Sequence, residues 1–221
     1  MNRSIVQPLS PDSPAVRQAV RSKGFSLVEI LVVITIMALL VGLVANYAFN
    51  FLDKGKVTAC QAQLKGIAQD LELYKQRKHR WPSEKGISFL LILTKGGKHA
   101  AVRGNATKCF LCPGTDDDNR DADSEEWGSA YADFDNLDSM TISYAGRNNV
   151  DFKIKYDDDI LAADDNEGRK NHKFHTNYVT RNYSVDSVDI DSYLDELGED
   201  CEWLIVGPDS PHEPFQCLQI D

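Results

Sequence analysis

The sequence predicts an α+β protein, with a long N-terminal transmembrane/amphipathic helix packed on a small antiparallel sheet carrying acidic loop insertions. Three observations lead there. Residues 25–45 form an apolar run with a single charge, and residues 57–74 carry an apolar stripe at helical spacing. The rest of the chain alternates short β-prone runs with aspartate-rich segments.

The apolar run is 21 residues long. At the helical rise it spans roughly 30 Å, the thickness of a bilayer's hydrocarbon core. Its one charge, Glu29, lies near the start. An ionised carboxylate at the middle of such a helix costs about 2.5–3.5 kcal/mol, less toward an end, so it needs a partner or a task. Cleavage after Gly24 would leave a cationic amine on Phe25, four residues from Glu29 and within reach of its own or a neighbour's carboxylate. Arg3, Arg17, Arg21 and Lys23 precede the run against only Asp12, while Lys54 and Lys56 follow it. The positive-inside rule then puts the N-terminus in the cytoplasm and exports the rest. A secretory signal peptide would end its apolar core at small residues spaced A-x-A, and residues 44–48 lack them.

Together, Lys23-Gly24-Phe25-Ser26-Leu27-Val28-Glu29 and the Val/Ile/Leu helix behind it resemble the class III signal of type IV pilin-like proteins, the group of type IV pilins and type II secretion pseudopilins. The resemblance implies a pilin fold and cleavage between Gly24 and Phe25 by a prepilin peptidase. It also implies N-methylation of Phe25, a registering role for Glu29, and assembly with like subunits on an inner-membrane platform. Residues 1–24 would be the leader, 25–51 the transmembrane and assembly half of the helix, and 52–221 the exported head. Asn46 stands where many pilins carry a helix-kinking proline. The subunit reading, most closely a pseudopilin, competes with a surface pilin and with an anchored binding protein using the same export signal.

Loss of the leader would take the net charge from −10 to about −13. Such a surface argues against nucleic acid, whose phosphates require clustered Lys and Arg. Roughly 170 exported residues suffice for one domain with a core.

Val57, Cys60, Leu64, Ile67, Leu71 and Tyr74 are spaced by three and four, as on one helix face, with Gln61, Lys65, Gln69, Glu72 and Lys75 elsewhere. The helix should end near His79, because Trp81-Pro82 disfavours further turns. Ser83 is a fitting N-cap for a second helix over 84–94, closed by Gly96-Gly97. Residues 80–87 resemble the Tyr-Pro-Thr … Gly-Leu region of major pseudopilins, with Trp81 for the tyrosine. Residues 59–68, with Leu111-Cys112-Pro113, also resemble a broad bacterial family of pilin-like secreted proteins of unknown role. Strands are expected at 140–144, 152–156, 178–185 and 203–206, separated by acidic loops.

Five cysteines (Cys60, Cys109, Cys112, Cys201, Cys217) in an exported chain suggest disulfides and leave one over. Connectivity is open from sequence; Cys201–Cys217, bracketing a short C-terminal loop, is the pairing the pilin resemblance suggests. Cys109-x-x-Cys112 has the spacing of a redox or zinc half-site. With no second CxxC, and only His172-x-x-His175 as a close histidine pair, a structural or unpaired role is expected. Residues 117–123 alternate like the start of a calcium loop, but Ala122 and Gly128 occupy the positions that need Gly and Glu. Val206-Gly207-Pro208-Asp209-Ser210 resembles the C-terminal turn near which major pseudopilins hold calcium, making Asp209 the candidate metal residue and calcium the one candidate cofactor. No phosphate loop, nucleophile elbow or catalytic pair is present in the sequence, and no enzymatic activity is expected.

Overall fold

The computed structural model describes residues 25–94, 106–132, 137, 140–165, 171–172, 175–193 and 204–220, without the side chains of 46–50 and 106–107. The chain divides between Asn46 and Tyr47 into two compact units. Helix α1, Leu27–Lys78, is 52 residues long. It stops where expected: His79 takes a left-handed φ of 55°, and Trp81-Pro82 follows.

The second helix is shorter than the sequence suggests. Helix α2 covers Gly86–Leu91 and starts from Lys85 without a side-chain cap. Ser83 Oγ instead accepts a 2.7 Å bond from Arg80 Nη1. Gly86, at φ 59°, prevents regular helix from reaching back to residue 84. At the other end, Leu93 N–H bonds to Leu90 O and Thr94 N–H to Leu91 O, a tightening that ends the helix. The expected closers Gly96 and Gly97 lie outside the described residues.

Among the described residues five strands form one antiparallel sheet: β1 (Tyr144–Arg147), β2 (Ile160–Asp164), β3 (His175–Thr180), β4 (Val185–Asp189) and β5 (Leu218–Gln219). Their order is β4-β3-β2-β1-β5, a meander whose last strand returns beside the first. At Gly146 an added Cβ would stand 2.1 Å from Gly86 O, so glycine lets α2 lie directly against β1.

The α+β class holds, but the strands sit elsewhere than expected. The alternating run 152–156 is not a strand. Its backbone donors are taken by side chains: Asn149 Oδ1 accepts from Ile154, and Asp159 Oδ2 from Lys155 and Tyr156. Residues 178–185 divide between β3 and β4 around a turn in which Tyr183 has a φ of 66°. The segment at 140–144 contributes only Tyr144 to β1. Near 203–206, Leu204 and Val206 are buried off the sheet, and Trp203 lies outside the described residues. The unexpected central strand β2, Ile-Leu-Ala-Ala-Asp, is buried throughout.

Both faces of the sheet carry core. On one, Cys60, Leu64, Ile67 and Leu71 of α1 pack with Phe89, Phe110, Ile142, Tyr144 and Leu161, as the stripe predicted. On the other, Ala145, Ile160 and Ala163 pack with Leu204, Val206, Phe215 and Leu218. A register shift between Ile160 and Ala162 sends both Leu161 and Ala162 to the α1 side.

Candidate functional site

The start of α1 is a reciprocal cap. Glu29 N–H donates to Ser26 Oγ at 3.2 Å, and Glu29 Oε2 accepts from Ser26 N–H at 2.9 Å. This is a capping box, which satisfies two otherwise orphaned donors and places the carboxylate at the positive end of the helix dipole. Its Ser-x-x-Glu signature is visible in the sequence at Ser26 and Glu29, beyond the membrane cost of the lone carboxylate. Phe25, just outside the cap, is 80 % exposed. The 19 residues Leu27–Ala45 are long and apolar enough to cross a membrane, and none is buried. Gly24 and the rest of the expected leader lie outside the described residues.

A second constellation is buried in the head. Cys60 from the α1 stripe, Cys112 after a 3₁₀ turn at Ala106–Phe110, Asp164 at the end of β2 and His172 converge. None is more than 3 % exposed, and their donor atoms all lie within 4.8 Å of one another. Cys60 Sγ is 2.8 Å from Asp164 Oδ1, His172 Nε2 is 3.3 Å from Cys112 Sγ and 3.6 Å from Asp164 Oδ2.

Hydrogen-bond donors surround the four. Asn177 gives Asp164 Oδ2 both its backbone N–H (2.8 Å) and its side-chain amide (2.7 Å), while Gln61 Nε2 holds Asn177 Oδ1 at 3.0 Å. Gly114 N–H donates to Cys112 Sγ at 3.2 Å, and the Tyr144 hydroxyl lies 3.4 Å from Cys60 Sγ. Gly114 is fixed by crowding, since a Cβ there would meet Asn171 O at 2.2 Å. That close approach seats His172 above Cys112.

The electrostatics reflect burial among acceptors. Burial pushes the Cys60 thiol far up and raises Asp164 as well. Cys112 is lowered to about 6, mainly because Cys60 hydrogen-bonds to it. Burial depresses His172, but its bond to Cys112 and the Asp164 charge outweigh this and raise it. His172 Nδ1 is buried with no hydrogen-bond partner among the described residues.

Of the spaced pairs in the sequence, this cluster takes one member each. Cys112 and His172 belong to it. Cys109 packs against the apolar core with its thiol pushed up to about 12 by burial, and His175 opens β3. Cys112 thus meets Cys60 and Asp164, far away in sequence, rather than its CxxC neighbour Cys109. Asn119, midway in the calcium-like alternation, is fully buried as an internal brace, accepting from Gly128 N–H and donating to the Tyr131 hydroxyl, both at 2.9 Å. Asp209 is exposed in the turn closed by Ser210 N–H on Gly207 O. Cys217 is half-buried, donating to Pro214 O at 3.3 Å, and its expected partner Cys201 lies outside the described residues.

Residues 20–45 match the family described as the prokaryotic N-terminal methylation motif. The chain is 35 % identical over 72 residues to the type II secretion system core protein G of Pseudomonas aeruginosa, a match covering 32 % of this chain and 51 % of that protein. The chain thus spans about half the length of the curated relative it matches. No solved structure matches it. With that motif, that likeness and an apolar helix ahead of a small antiparallel sheet, the chain is similar to the pseudopilin-like members of the type IV pilin group.

Proposed function

We propose that the protein is a structural subunit of a type II secretion pseudopilus, processed by prepilin peptidase between Gly24 and Phe25 and N-methylated at Phe25. The observation that carries this reading is the pairing of a capped Glu29 with a wholly exposed apolar helix directly behind it. Among the described residues none of 27–44 is buried, so this apolar surface requires lipid before assembly and neighbouring helices afterwards. The segment would sit in the inner membrane with its N-terminus cytoplasmic and the head exported.

Glu29 fits a registering role because a carboxylate offers about four lone-pair sites. Keeping the Ser26 bond leaves capacity for the cationic amine of a neighbour's Phe25. In the low dielectric of a packed helical core that pairing strengthens, while a lone subunit in lipid lacks it.

Two measurements test the proposal. The mature protein should begin at Phe25 by intact-mass spectrometry, and Gly24→Leu should retain the mass of residues 1–24. Glu29→Ala should insert into the membrane normally but lose helix-to-helix crosslinks between subunits beside the cognate machinery. Wild-type protein giving no self-crosslinks there would point to the anchored binding protein instead.

A further inference from the structure

We propose that Cys60, Cys112, Asp164 and His172 bind one zinc ion in a closed, four-ligand structural site that fastens α1 to the sheet. The inference goes beyond the filament reading and does not depend on it. Two thiolates, an imidazole and a carboxylate are the ligand types of structural zinc. A zinc tetrahedron with bonds of about 2.0–2.3 Å has edges of roughly 3.3–3.8 Å. The measured contacts of 2.8, 3.3 and 3.6 Å, with every pair inside 4.8 Å, need only slight adjustment to reach that geometry.

Burial and the surrounding donors favour the same assignment. Four such groups without a cation bring sulfur and carboxylate acceptors together in a space closed to water, which is costly. Zinc would replace the thiol protons, released to solvent, and leave a net charge of −1 with neutral His172 bound through Nε2. Asn177 and Gly114 then stand as outer donors that orient the carboxylate and the Cys112 thiolate. With four protein ligands the site has no open position, so its role is folding rather than catalysis. The ligands span 104 residues between Cys60 and Asp164, which ties the exported half of α1 to the central strand.

The rival occupant of this space is a Cys60–Cys112 disulfide. It would use two of the four groups and leave Asp164 and His172 without a reason to converge. The full-length chain, purified in detergent without chelator, separates the two by elemental analysis and non-reducing peptide mapping. The expected result is one zinc per chain in the wild type and in Cys109→Ser and His175→Gln, and loss of zinc in Cys112→Ser. Asn177→Ala, which keeps all four ligands, should weaken zinc affinity about 10–100-fold. A Cys60–Cys112 disulfide, a different stoichiometric metal, or no zinc uptake by the reduced wild type would overturn the proposal. Loss of zinc in Cys109→Ser would overturn the ligand assignment.

Discussion

The two faces of the sheet each bury an ionisable group, and they do so by opposite means. On the face away from α1, Arg147 completes its own circuit. Its Nε donates to Phe152 O at 2.8 Å, Nη1 to Ile160 O at 2.6 Å, and Nη2 to Asp159 Oδ1 at 2.9 Å. Asp159 Oδ2 in turn receives the Lys155 and Tyr156 amides at 2.6 and 2.8 Å. One cation faces one carboxylate, and the donors and acceptors match. On the α1 face, two thiols, a carboxylate and an imidazole meet, with Asp164 held by the Cys60 thiol and by both donors of Asn177. A polar group can be buried cheaply when its complement comes from the same chain; on the α1 face the proposed zinc would add a complement from outside.

The largest expected effect breaks the self-sufficient face. Arg147→Met should cost about 2–4 kcal/mol in urea denaturation, short of the full penalty for a closed ion pair because Asp159 keeps some contact with water. A cost below about 1 kcal/mol would show that the circuit is not structural.

The α1 face should respond instead to metal. Free Zn2+ at 100 times its dissociation constant should stabilise the wild type by about 2.7 kcal/mol, and this gain should vanish in Asp164→Asn. The same titration should leave the cost of Arg147→Met unchanged. Equal stabilisation of wild type and Asp164→Asn would remove the contrast between the faces.

Acid sharpens the comparison from the other side. Burial alone would raise Asp159, but the two amides and the Arg147 guanidinium hold it below the usual 3.8. The unfolded chain therefore binds this proton before the folded one does. The Asp159 contribution is present above about pH 4 and is lost as pH falls through the depressed folded value. Asp159→Asn should flatten this part of the stability profile, read as the difference between wild-type and variant denaturation midpoints at pH 5 and pH 3. Parallel profiles would mean that the carboxylate makes no differential contribution.

The smallest effect concerns a site where both needs are met locally. Ser26→Ala removes one half of the capping box and should destabilise the start of α1 by about 0.5–2 kcal/mol, seen as faster amide exchange in residues 27–30. Thermal unfolding of the head should not move.

What the sequence could determine was local or periodic. The apolar run after Gly24, the lone Glu29, the stripe from Cys60 to Tyr74 and the stop at Trp81-Pro82 depend on neighbours within one or two helical turns, and each is visible in a short window. Strands were harder, because a backbone donor can be satisfied by a ladder or by a nearby side chain. At 152–156 the alternation favoured a ladder, but Asn149 and Asp159 captured the amides. Strand β2 hid as a four-residue apolar run between an acidic triplet and Asp164, because a central strand buried on both faces shows no alternation. The Cys/Asp/His cluster was least legible. Cys112 and His172 each belong to a close sequence pair whose other member lies outside the cluster, while Cys60 reads as one more apolar stripe residue and Asp164 as one more acid. Only tertiary folding brings an α1 position, a turn and the end of the central strand to one point, since contacts across 60 and 104 residues leave no periodic trace in the chain.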